Sequence, residues 1–128
     1  MYKYLLLFSL LLNPLSASER SDNALAQGDF SQALKLLTQE AKSGSAESQY
    51  NLALMYYRGD GVDYNLTKSA ELLESSAQQG YTRAIENVGR IYMQLLKFEK
   101  AKKWLKINVK NGDEGAAELL KSIEQSQL

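Results

Sequence analysis

Any chemistry in this chain has to be done by carboxylates, hydroxyls and amines, because it contains no histidine and no cysteine. That excludes the usual zinc ligand sets, cysteine nucleophiles, disulfides and histidine-based triads. Glu71 and Glu74 stand close together on one predicted helix, as paired acids for glycoside hydrolysis could. They flank Leu72 and Leu73, however, and so read as the solvated border of a buried apolar stripe. Asp60, Asp63 and Asn65 form an oxygen-rich loop, but without the regular alternation and distal Glu of a calcium-binding hand. Arg58-Gly59-Asp60 spells an adhesion tripeptide at a place where a turn already requires Gly and Asp. Ser21-Asp22-Asn23 and Lys42-Ser43-Gly44 echo two elements of serine acyl-transfer sites, yet the Ser-x-x-Lys nucleophile motif is absent. No cofactor or metal is implied, and the chain reads as non-catalytic.

Lys97, Lys100, Lys102, Lys103 and Lys106, with Lys110 beyond, form the densest run of charge. On a helix 102, 103 and 106 share one side. The run reads either as a solvated helix face or as an electrostatic contact with an acidic partner or a membrane surface. Over the whole chain fifteen Lys+Arg balance fifteen Asp+Glu, so no long-range field draws in nucleic acid.

The elements that would carry these groups follow from apolar spacing. The first 18 residues are set apart: Lys3 makes a short positive start, Tyr4 to Leu12 is apolar, Asn13-Pro14 breaks the run, and Leu15-Ser16-Ala17-Ser18 is mostly small. This is the layout of a signal peptide, with cleavage expected after Ala17 or Ser18, and of a periplasmic or secreted product. A retained N-terminal anchor is the alternative. The rest, 19–128, is a repeat. Aligning Gly44, Gly80 and Gly112 brings Ala41, Ala77 and Val109 into one column. Further columns hold Leu37, Leu73 and Leu105; Leu36, Leu72 and Trp104; Ala33, Ser69 and Ala101; and Phe30, Leu66 and Phe98. The offsets are 36 and 32 residues throughout. Steps of three and four are one face of an α-helix, and each glycine falls where a helix C-terminus needs a residue without Cβ. Trp104 therefore belongs to the core.

The spacing predicts second helices over 30–43, 66–79 and 98–111, and first helices over 46–57, 82–95 and 113–126. A short helix over 19–27 completes the first pair, giving units of about 19–44, 45–80 and 81–112 with a cap at 113–128. Ala53 and Gly89 are small so that a neighbouring helix can come close. Asn65 is an expected N-cap. The fold class is all-α, an α-α superhelix of about three helix pairs and a terminal capping helix.

The pattern Ser48-x3-Leu52-Ala53-x2-Tyr56, then Gly59-Asp60-Gly61-Val62, then Ser69 through Gly80 resembles the Sel-1-like repeat, a tetratricopeptide-like helical solenoid. The next unit keeps the helices and lacks the Gly-x-Gly-Val loop. The resemblance implies a concave face lined by the first helices. On that face would stand Glu47, Tyr50, Leu54, Tyr57 and Arg58 from the first complete unit, and Arg83, Glu86, Arg90, Met93 and Gln94 from the next. Glu118, Ser122 and Gln125 would extend it. Tyr and Arg are frequent interface anchors, so a peptide or protein is the expected ligand. The function expected is an exported protein–protein interaction module. Two rivals stay open: an immunity or inhibitor protein capping a cognate secreted toxic enzyme, and a hydrolase, which would need a pocket of convergent titratable groups.

Overall fold

A computed structural model describes residues 15–126. All their regular structure is helical: α1 (Ala17–Ala26), α2 (Phe30–Lys42), α3 (Ala46–Arg58), α4 (Leu66–Gln78), α5 (Thr82–Gln94), α6 (Phe98–Lys110) and α7 (Glu114–Ser126). The six later helices each have 13 residues. The expected boundaries hold to within one residue, except that α1 begins two residues early. Ser16 is the reason. Its hydroxyl accepts from the Glu19 N–H while the Glu19 carboxylate accepts from the Ser16 N–H, a reciprocal cap. The expected leader falls mostly outside the described residues; of it, Ala17 and Ser18 form the first turn of α1.

Starts and stops have local causes. Asp29, Ser45 and Asn65 accept from the backbone N–H three residues on, at 3.1, 3.2 and 2.9 Å. Asp113 does the same for Ala116 at 2.9 Å. At the other ends Gly44, Gly80 and Gly112 adopt φ of 97°, 85° and 90°. The next N–H then reaches back to the carbonyls of Glu40, Ser76 and Asn108. The short α5–α6 turn closes in the same way, with Lys97 N–H on the Tyr92 carbonyl, but its left-handed residue is Leu96, at φ 57°. In the longer α3–α4 loop, Gly61 is required on two counts: its φ is 69°, and a Cβ there would lie 2.7 Å from Phe30 Cβ at the start of α2. The Gly-x-Gly-Val loop thus clips one unit to the preceding one.

Consecutive helices pack against each other along the chain. Contacts between alternate helices build the layers. Tyr50 of α3 meets Tyr81 at the head of α5 with ring centres 5.3 Å apart, and Arg90 of α5 pairs with Asp113 at the head of α7 at 2.8 Å. Glu74 of α4 binds Lys100 of α6 at 2.8 Å. The repeat columns are the core: Ala33, Ser69 and Ala101 are sealed, as are Leu37, Leu73 and Leu105. Gly89 works as expected, since a Cβ there would stand 3.1 Å from the Leu105 side chain. Trp104 is buried, as its column requires.

Leu96 is the described residue that breaks the glycine rule, and its side chain is 71% exposed, so packing does not offset the strain. A left-handed L-residue costs about 1–2 kcal/mol, and glycine returns part of that as lost chain entropy. Leu96→Gly is expected to stabilise the fold by about 0.5–1 kcal/mol. Urea unfolding followed by circular dichroism checks this; a lower midpoint would show that the side chain has a packing role.

Candidate partner-binding face

The expected face draws on two helices whose core stripes are set by Leu52 and Ala53 on α3 and by Ala84, Val88, Gly89 and Tyr92 on α5, all buried. What remains outward is decided by rotation about each axis. Leu54 and Tyr57 of α3 and Asn87, Arg90 and Gln94 of α5 line one groove of about 180 Å³, floored by Ser69, Leu73 and Ile91. Ser69 is sealed, and its hydroxyl finds no hydrogen-bond partner among the described residues. The same column holds Ala33 and Ala101, so packing alone does not call for that hydroxyl. A neighbouring hollow of about 320 Å³ places Leu54 and Arg58 beside Asn51, Leu25 and Phe30. A third, of about 600 Å³, opens between α5 and the end of α6 with its turn into α7, where Glu86, Asn87 and Arg90 face Asn108 and Asn111.

Leu54, Tyr57, Arg90 and Gln94 are therefore brought together, with Arg58 and Glu86 in the adjoining hollows. Glu47 and Arg83 lie instead around a separate depression beside Gly80 and Tyr81. Tyr50 and Met93 are half-buried and pack on the core. Tyr50 is held there by Tyr81, a neighbour that the α3 stripe alone could not reveal. The Arg90 guanidinium is engaged by Asp113 and by the Glu86 carbonyl. It also holds the Asp113 carboxyl below the ordinary range, aided by the Ala116 N–H. Asn51 and Asn87 were missed. They are equivalent at the 36-residue offset and both reach the grooves; comparing polar columns as well as apolar ones would have found them.

Behind this face the structure corrects one expectation. Glu74 is not a solvated border but the hub of a partly buried cluster. It accepts from the Tyr92 hydroxyl at 2.5 Å, from Lys100 Nζ at 2.8 Å and from Trp104 Nε1 at 3.4 Å. Lys100 also lies 4.9 Å from the Tyr92 ring centre. Burial pushes the Glu74 carboxyl up, but hydrogen bonds from Lys100, Tyr92 and Trp104 outweigh it and hold the group below its ordinary range. Burial first, and then the bond to Glu74, push Tyr92 up to about 12. Neither group is placed to exchange a proton near neutral pH, so the cluster is a clamp rather than an acid–base pair. Glu71 stays on the surface, facing Lys68 at 4.0 Å.

Residues 46–81 match the Sel1 repeat family. A sel1-like repeat-containing protein of Acanthamoeba polyphaga mimivirus is 31% identical over 77 residues, which is 60% of this chain and 14% of that protein. The chain thus spans a small part of that relative's length.

Because Glu74 titrates lower in the folded chain than in the unfolded one, its contribution is complete above the ordinary value of 4.5 and is lost as pH falls through the folded value. Stability is expected to drop on acidification from about pH 5 downward. Glu74→Gln should be less stable at pH 7 and should show a shallower acid limb, the remaining slope coming from Asp113 and Glu19, which are also held low. Urea midpoints between pH 7 and pH 3 test this; parallel curves for the two proteins would rule out the clamp.

Proposed function

We propose that this chain, which carries a Sel1 repeat and with it the architecture of a protein–protein interaction module, binds a partner polypeptide across its first helices. Sel1 repeats are typically non-catalytic helical scaffolds. The observation that carries the reading is the groove between α3 and α5. Its rim combines an aromatic ring, a guanidinium and two amides over an apolar floor, the mixture that anchors a partner side chain while excluding water. At about 180 Å³ it suits one side chain rather than a free metabolite. The hollows on either side continue it, so an extended segment could lie across α1, α3, α5 and the turn between α6 and α7 with successive side chains seated in turn. In this reading Leu54, Tyr57, Arg90 and Gln94 form the centre, with Arg58 and Glu86 flanking. Glu47 and Arg83 form an outlying depression, and Tyr50 and Met93 support the wall from beneath.

Tyr57 and Gln94 are exposed, so replacing them leaves the core intact. Tyr57→Ala with Gln94→Ala should weaken capture of the partner by at least tenfold while the helical circular dichroism is unchanged, since one interface anchor is worth about 2 kcal/mol. Undiminished capture, read by quantitative mass spectrometry of pull-downs, would reject the groove.

The same proposal includes export. Its support is the order of Lys3, the apolar run Tyr4 to Leu12 and the small residues at 16–18. The expected product begins at Ser18 or Glu19, a cut that removes the Ser16 cap and shortens α1 toward its expected start. Intact-mass measurement of chain recovered from the cell envelope checks this, and a product still starting at Met1 would contradict it. Among the described residues no helix is long and apolar enough to cross a membrane.

A further inference from the structure

The lysines of α6 are not used by the groove. Between Lys97 and Lys110 there are six lysines and one acid, Glu99, in a chain whose formal net charge is zero. Positive charge is therefore concentrated on one helix. Lys100 reaches Glu74 at 2.8 Å and Lys102 reaches Glu99 at 2.6 Å. Lys103, Lys106 and Lys110 are exposed and form no ion pair among the described residues, Lys103 lying 5.2 Å from the Trp104 ring centre. With a rotation of ~100° per residue, Lys103, Lys106 and Lys110 fall within an arc of about 60°. At the head of this helix stands Leu96, strained in the left-handed conformation and 71% exposed, and near its foot Val109 is 37% exposed. A glycine would close the α5–α6 turn without strain. The leucine there contributes an apolar tip aimed at solvent and no core contact.

We propose that the outer face of α6, led by Leu96, docks onto an anionic lipid surface. Leu96 enters the interface, and Lys103, Lys106 and Lys110 meet the headgroup phosphates. A lipid leaflet suits this face better than a folded partner. The lysine stripe runs along a helix crest and lends no side chain to the grooves described above, and a fluid charged surface needs no matching cavity. The inference does not depend on the groove. Because α6 belongs to the second helices, a chain held at a leaflet through it leaves α3 and α5 open to a polypeptide.

Flotation of the full chain with vesicles tests it, comparing phosphatidylcholine alone with phosphatidylcholine containing phosphatidylglycerol. The apolar run and Lys3 near the N-terminus are the same in every variant, so the difference between each variant and the parent chain reports on α6. Binding is expected to be stronger to the anionic vesicles and to be released by high salt. The triple variant Lys103→Gln, Lys106→Gln, Lys110→Gln should lower the anionic partition by about fivefold per lysine. Leu96→Gly should lower it by about tenfold while the thermal midpoint stays level or rises. Equal binding to the two vesicles, or binding untouched by the lysine variant, would overturn the proposal. An unchanged partition for Leu96→Gly would overturn the role of Leu96. Preference for soluble polyglutamate over the vesicles would reassign the face to an acidic protein.

Discussion

Each helix in this chain has one apolar stripe and no means of covering it alone. α4 shows the constraint in its plainest form. Ala70, Leu73 and Ala77 are sealed, yet they lie on the same helix as exposed Thr67, Lys68, Glu71 and Gln78. The cover comes from α3 before it and from α5 and α6 after it, whose own stripes are incomplete without α4. Burying a leucine stabilises by roughly 1.5–3 kcal/mol, and a helix of 13 residues is marginal by itself in water. Order therefore arises only when neighbouring units stack, and the small column of Ala33, Ser69 and Ala101 sets how close they come.

The grooves are a by-product of that stacking. Once the core stripes are turned inward, α3 and α5 must present a second stripe outward, with its spacing set by the repeat. Leu54 and Arg90 occupy equivalent positions, as do Asn51 and Asn87. The unit thus offers a periodic row of positions whose side chains differ, which is how one scaffold can be adapted to one partner. Two polar ties stiffen the array where the row ends: Arg90 to Asp113, fixing α7 on α5, and the Glu74 cluster, fixing α6 on α4.

Much of this was legible in the residues. The glycines and the apolar columns placed every helix after α1 to within one residue, because both signals are local. Ser16 was harder to read, since its cap needs the Glu19 side chain to fold back on it. Features between units were opaque. Glu74 looks like a surface acid on its own helix and becomes a hub only because α6 brings Lys100 and Trp104 to it. Tyr50 looks like an exposed anchor until Tyr81 closes over it. Leu96 was hidden by the shorter linker, where nothing local marks a leucine as the left-handed residue.

The most direct measurement is the behaviour of one unit removed from its neighbours. A peptide covering residues 46–81, with α3, the Gly-x-Gly-Val loop and α4, keeps every local signal but loses the flanking stripes. Its far-ultraviolet circular dichroism should show weak helicity and a broad thermal change, against one cooperative transition for the full chain. A peptide that is fully helical and melts sharply as a monomer would contradict the account, because a single pair would then be hiding its own apolar flank.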